Sequence, residues 1–259
     1  MTGAPSSRSR PRRRRPVIAL VGVDGVGKTT QARRLATALT AAGHPARYFE
    51  NGGGRPVVDA LAHRLGRRDG PDLLGRRAHV ALETTIRGLA LAWALAVSAR
   101  TGQIAVMDRY TYCQYATMRL RGDSGEGRVR AAYRLAPTPD LVVWLTLAPT
   151  EAARRVELRG RDHEDPARLA AFAAAYASLP EAPTFHHLPA TADADALHAR
   201  LLALAADRLL DLDGYVMLTD ATASGGTRWE SGAVPPLSPG HATLRGRRPR
   251  PPCRPHGQG

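Results

Sequence analysis

The chain has 259 residues, 43% of them hydrophobic, and a formal net charge of +14. That length suits one domain of ordinary size with extensions, or two small ones, and the apolar fraction suffices for a core, which excludes disorder throughout. The charge invites a nucleic-acid binder, but it is uneven: residues 1–16 carry +6, residues 214–259 carry +4, and the stretch 17–213 holds only +4.

Residues 1–16, rich in Ser, Pro and Arg, are expected to be a disordered arm. Val17–Val23 is a short, continuous, β-branched run, the pattern of a buried parallel strand. Helical spacing follows over Lys28–Ala42, closed by Gly43. A second strand is expected at Ala46–Glu50, then a glycine stretch and a helix over Val57–Leu65. Arg76–Arg100 predicts one long Ala/Leu-rich helix. Its apolar run, Leu89–Ala99, falls short of the roughly 20 residues a bilayer needs, so it is expected to be buried, with Trp93 and Trp144 in the core. Gln103–Asp108 and Asp140–Leu147 read as strands, and Thr150–Arg159 and Arg168–Leu179 as helices around a charged loop. Thr184–Leu188 reads as a weaker fifth strand and Asp193–Asp211 as a final helix. This alternation implies a parallel sheet covered on both faces. Beyond 213 the periodicity collapses into a Gly/Pro/Ser/Arg-rich tail, expected to be disordered.

Cys113 and Cys253 are far apart in sequence and have no clustered ligands, so neither a disulfide framework nor a zinc site is expected. The basic start passes into a Gly/Lys/Thr loop with no cleavage pattern, so a secretory signal is not expected and a cytoplasmic location is the default.

Lys28 is the one lysine in the chain. It stands in Gly22-Val23-Asp24-Gly25-Val26-Gly27-Lys28-Thr29, a match to G-x-x-x-x-G-K-[ST] between a predicted strand and a predicted helix. The glycines let backbone N–H groups converge on phosphate oxygens, and the helix N-terminus adds its positive end. Lys28 would reach the β- and γ-phosphates, and Thr29 would offer a hydroxyl to Mg²⁺. The fold expected is therefore the three-layer α/β P-loop NTPase fold, with five parallel strands and helices on both faces.

The stretch VGVDGVGKTTQA, from Val21 to Ala32, resembles the start of thymidylate kinases, with an acidic residue inside the loop and Thr-Thr-Gln after the lysine. Met107-Asp108-Arg109-Tyr110 is similar to the family's Asp-Arg-Tyr or Asp-Arg-His. Pro139-Asp140-Leu141 followed by Arg154-Arg155 and Arg159-Gly160-Arg161 resembles its Pro-Asp-Leu strand, helix and Arg-rich lid, placed here near 159–166. Arg76-Arg77-Ala78-His79, with Ile86-Arg87 further along, is a weaker match to the Asp-Arg-Ala-Gln-His helix.

The resemblance implies transfer of the ATP γ-phosphate to a nucleoside monophosphate, with Mg²⁺. Gly22, Asp24, Gly25, Val26, Gly27, Lys28, Thr29 and Thr30 would bind the donor, with Arg159. Lys28, Asp108, Arg109 and Arg161 would be catalytic, and Thr29 and Asp108 would hold the metal. Asp24, Arg55, Arg77, Arg109 and Tyr110 would contact the acceptor. Because Gly25 rather than Arg follows Asp24, the catalytic arginine would come from the lid, as in the bacterial subgroup without a P-loop arginine. The resemblance also suggests a homodimer supported by the long and final helices.

Three departures fall on the acceptor side. Glu50-Asn51-Gly52-Gly53-Gly54-Arg55-Pro56 stands in place of Arg-Glu-Pro-Gly-Gly. The family's stacking ring is replaced near Leu73-Leu74-Gly75, and Ala116-Thr117-Met118 lacks the Gln of Ala-Tyr-Gln. Altered acceptor specificity is expected. Two alternatives stay open, a kinase for another small acceptor and a non-catalytic ATP-binding regulator. Nucleic acid is expected to meet only the basic ends, weakly, and a membrane not at all.

Overall fold

The computed structural model describes residues 15–160, 164–191 and 193–213. Most of the expected N-terminal arm and all of the C-terminal tail lie outside the described residues, as does Arg161.

The elements run β1 (Val17–Val21), α1 (Lys28–Ala41), β2 (Ala46–Glu50), α2 (Arg55–Arg64), α3 (Gly70–Leu74) and α4 (Arg76–Thr101). They continue with β3 (Ile104–Asp108), α5 (Thr111–Arg121), α6 (Glu126–Ala132), β4 (Leu141–Thr146), α7 (Pro149–Glu157), α8 (Pro166–Ala177), β5 (His186–Pro189) and α9 (Ala194–Asp213). The five strands form one parallel sheet in the order β2-β3-β1-β4-β5. The expected α/β architecture is thus the observed one.

Burial follows position in the sheet. β1 and β3 are buried along their whole length and β4 up to Thr146, whereas the edge strands β2 and β5 are largely open. Central parallel strands are covered on both faces, so they read as unbroken apolar runs. In the register, Leu20 lies level with Asp108, and Asp108 with Glu50. Three strands therefore end together, and the loops at this carboxyl edge converge where open α/β sheets hold their ligands.

Three helices, the short α3 together with α5 and α6, lie where sequence periodicity assigned nothing. In α5, Thr111, Tyr112, Cys113, Gln114, Tyr115, Ala116 and Met118 are all buried. A helix covered nearly all round has no polar stripe to reveal its period. The long helix α4 departs from expectation in the opposite sense. It is long and apolar enough to cross a membrane by length and composition, yet it packs against β2, β3, α3 and α6. Its outer face is open, with Leu89 67% and Trp93 68% exposed, so Trp93 is not a core residue. Trp144, as expected, is buried.

Candidate active site

The phosphate loop begins where β1 runs out. Gly22 and Gly25 both take positive φ, and both sit against backbone: a Cβ would come to 2.4 Å from the Leu145 carbonyl oxygen at Gly22 and to 2.3 Å from that of Ala152 at Gly25. The close pass of α7 behind the loop therefore explains why position 25 holds neither arginine nor any other side chain. Val26 is fully buried and anchors the loop in the core, while Thr29 and Thr30 open α1 with exposed side chains. Gly27 caps α1 in a left-handed conformation without a side-chain acceptor, and no acid stands in the first turn. The leading N–H groups of α1 are left to an anionic ligand.

Lys28 is almost wholly buried; its Nζ donates to the Val23 carbonyl at 2.6 Å and lies 3.4 Å from Asp24 Oδ1. Burial, then the neighbouring Arg109, pushes its pKa down despite the nearby carboxylates. A buried ammonium so placed gains most from an incoming phosphate. Burial would raise the Asp24 carboxyl, but Lys28 and Arg109 outweigh it and hold that group well below the usual range.

Asp108 closes β3. Its Oδ2 accepts from Thr29 Oγ1 at 2.5 Å and lies 3.4 Å from the Tyr48 hydroxyl, while Oδ1 is buried with no hydrogen-bond partner. A carboxylate oxygen left in this state beside a threonine hydroxyl fits Mg²⁺, which takes one or two protein ligands and completes its shell with phosphates and water. Among the described residues no cluster of three His, Cys, Asp or Glu could form a metal cage.

The next residue, Arg109, has φ +74°, the one positive φ outside glycine among the described residues. Its N–H remains bonded to the Leu20 carbonyl at 3.0 Å while Nη2 reaches Asp24 Oδ1 at 2.5 Å. The sheet bond and the ion pair together hold a backbone conformation that costs about 1–2 kcal/mol in an L-residue.

Beside these groups lies a cavity of about 250 Å³ lined by four carboxylates (Asp24, Glu50, Glu83, Glu164) and four guanidiniums (Arg87, Arg109, Arg121, Arg168). Phe172 and Leu169 of α8 add an apolar wall. Arg87 belongs to the helix match read in the sequence but was given no role there. It is buried on α4, and its Nη1 donates to the Asn51 carbonyl at 2.7 Å. Its guanidinium lies against Gly53, where a Cβ would come within 2.8 Å. The signal was present in the chain: His79, Glu83 and Arg87 recur at four-residue spacing within an apolar helix, and all three are buried.

Other expected acceptor contacts do not reach this cavity. Arg77 is exposed and lines a separate groove with Thr84, Thr85 and Arg128. It stands ten residues before Arg87, about 15 Å along the helix and on another face. Tyr110 points inward instead, its hydroxyl bonded to the Pro137 carbonyl. Leu74 is exposed, and the α4 residues facing the cavity are Glu83 and Arg87. Arg55 opens α2, but its side chain lies outside the described residues. Arg159 is exposed just past α7, at the start of the expected lid.

A glycine loop with its lysine, a strand-end aspartate paired to a threonine, and arginines around an adjoining cavity define a P-loop phosphotransferase. A sequence model of thymidylate kinases matches residues 20–201. The thymidylate kinase of Xanthomonas campestris pv. campestris is 36% identical over 207 residues, covering 74% of this chain and 86% of that enzyme. That of Gluconobacter oxydans is 33% identical over 150 residues, covering 55% and 68%. The chain belongs to the thymidylate kinase family, and it is an ATP-dependent nucleoside monophosphate kinase.

Proposed function

We propose that the P-loop binds the ATP phosphates and that the cavity beside Arg87 and Arg109 receives the acceptor's 5′-phosphate. An acceptor phosphate oxygen attacks the γ-phosphorus, the bond to the β,γ-bridging oxygen breaks, and ADP leaves as the acceptor becomes a diphosphate. The observation that carries this reading is the placement of cations on both sides of the transfer point, with Lys28 on the donor side and Arg87 with Arg109 on the acceptor side. Such transfer depends on positioning and charge neutralisation more than on covalent help.

Asp108 and Thr29 would hold Mg²⁺, whose charge would neutralise the β- and γ-phosphates. Asp24 fixes Arg109 and meets the acceptor's sugar. Arg159 and Arg161 close over the donor as a lid. The exposed Leu89 and Trp93, four residues apart on α4, form the homodimer surface. Thymidylate, named by the relatives, is the reference acceptor.

The test is a coupled ADP-release assay over a panel of nucleoside monophosphates, with Lys28→Ala as control. Saturable ADP release with at least one monophosphate is expected, falling by about 10²-fold or more in the control. Release that is independent of every acceptor sinks the proposal.

A further inference from the structure

The end of β2 places two polar side chains on one face of the strand. Tyr48 and Glu50 lie two residues apart, and Phe49 between them is buried in the core. In the register with β3, Tyr48 lies level with Val106 and Glu50 with Asp108. The Tyr48 hydroxyl stands between two carboxylates, 3.4 Å from Asp108 Oδ2 and 3.4 Å from Glu50 Oε2. A phenolic hydroxyl has a single proton to donate, so it serves one of them at a time. Glu50 is exposed and can accept from water, whereas Asp108 is 2% exposed. A buried acceptor left without a donor is costly and an exposed one is not, so the proton belongs to Asp108. Arg33 of α1 sets its guanidinium 4.7 Å from the centroid of the Tyr48 ring, a cation–π contact that holds the ring in place. One helix therefore sends Thr29 to Asp108 directly and Arg33 to the tyrosine beside it.

We propose that Tyr48 is a positioning residue for phosphoryl transfer, acting on the carboxylate of Asp108. This rests on the reading above in which Asp108 and Thr29 hold Mg²⁺. Thr29 Oγ1 and the Tyr48 hydroxyl converge on the same oxygen, Oδ2, while Oδ1 is buried without a partner. Two donors on one oxygen fix the rotation of the carboxylate and leave Oδ1 as the oxygen offered to the metal. Thr29 can donate its proton to Oδ2 and keep its lone pairs for the metal. Partners that orient a metal-holding carboxylate in this way raise the affinity of the site. At 3.4 Å the tyrosine bond is a long one, which sets the expected effect at the lower end of the range for such partners. A ring that only covered the sheet edge would need no hydroxyl.

The test is Mn²⁺ binding to the full-length protein saturated with ADP, read by electron paramagnetic resonance. Mn²⁺ suits the same oxygen ligands as Mg²⁺. Wild type, Tyr48→Phe, Asp108→Asn and the double variant are compared, and circular-dichroism melts establish that each is folded. Tyr48→Phe keeps the ring and its contact with Arg33. It should weaken Mn²⁺ about tenfold and leave calorimetric binding of metal-free ADP within about twofold of wild type. In the Asp108→Asn background the same substitution should add nothing, because the hydroxyl acts through that carboxylate. Unchanged Mn²⁺ affinity in Tyr48→Phe overturns the proposal, as does an equal loss in both backgrounds. The two readings fail separately. Wild-type Mn²⁺ affinity in Asp108→Asn counts against the metal assignment and overturns this proposal with it, whereas a loss confined to Asp108→Asn overturns this proposal alone.

Discussion

Arg109 reaches Asp24 with a guanidinium nitrogen 2.5 Å from the carboxylate oxygen, and it does so from a left-handed backbone, φ +74°. Asp24 lies in the phosphate loop and Arg109 at the end of β3, so the pair spans the mouth of the site and aligns its two halves. The strain at Arg109 persists because the Leu20 carbonyl holds its N–H and Asp24 holds its side chain.

Backbone strain and charge at Arg109 can be separated by substitution. Arg109→Ala keeps the unfavourable φ, and Arg109→Gly relieves it. Both should lose about 10²–10³-fold in kcat/KM for the acceptor. In urea denaturation the glycine variant should be more stable than the alanine variant by about 1 kcal/mol.

Asp24 is held below its ordinary value of 3.8. Its folded pKa is lower than its unfolded one, so its charge contributes stability above about pH 4, and that contribution is lost as pH falls further. The gap in denaturation midpoint between wild type and Asp24→Asn should stay constant from pH 5 to pH 8 and close below pH 4. The acid limb of activity in the range 5–8 should not shift when Asp24 is replaced by Asn, because Asp24 is already ionised there.

Arg87 and Arg77 stand on one helix but line different cavities. Arg87→Gln should raise the acceptor KM about tenfold or more and leave the ATP KM near its wild-type value, as expected when one charge-assisted contact to a phosphate is removed. Arg77→Gln should change neither. Steady-state kinetics varying each substrate in turn decides between them.

Two glycines of the phosphate loop should respond differently to alanine. Both have φ near +90°, but a Cβ at Gly27 meets nothing within 4 Å, whereas one at Gly25 meets the Ala152 backbone at 2.3 Å. Gly27→Ala should cost about 1 kcal/mol from φ alone. Gly25→Ala should cost more and weaken ATP, because α7 or the loop must move. Denaturant midpoints and ATP titration measure both.

The proposed dimer surface has a direct check. Trp93→Glu places a charge on the exposed face of α4, away from the buried stripe. It should convert a dimer to a monomer in light scattering while the wild-type chain remains dimeric at the same concentration.

Legibility in the chain tracked locality. The phosphate loop was readable because its chemistry is contiguous: eight residues between an apolar strand and a helix carry the cradle, the cation and the hydroxyl. Asp108 drew notice because it ends an apolar strand in a chain with a phosphate loop, and Arg109 through the resemblance to the family's Asp-Arg-Tyr. Helix α5 was not, because its burial on all sides erases the period. On α4, the Arg-Arg-Ala-His match drew attention to Arg77, while the side chains that line the cavity beside the phosphate loop are Glu83 and Arg87.

Composition and local pattern alone were enough to specify a parallel α/β sheet, a phosphate loop and a strand-end aspartate. These follow from hydrophobic period and backbone geometry over a few residues. Which charges line the cavity depended on how α4, α5 and α8 pack around the carboxyl edge. That packing turned Arg87 and Glu83 inward, Tyr110 toward the Pro137 carbonyl, and Arg77 and Trp93 outward. The direction of a side chain across a helix is settled by what the neighbouring elements cover. Those contacts join residues dozens of positions apart, and no local pattern encodes them.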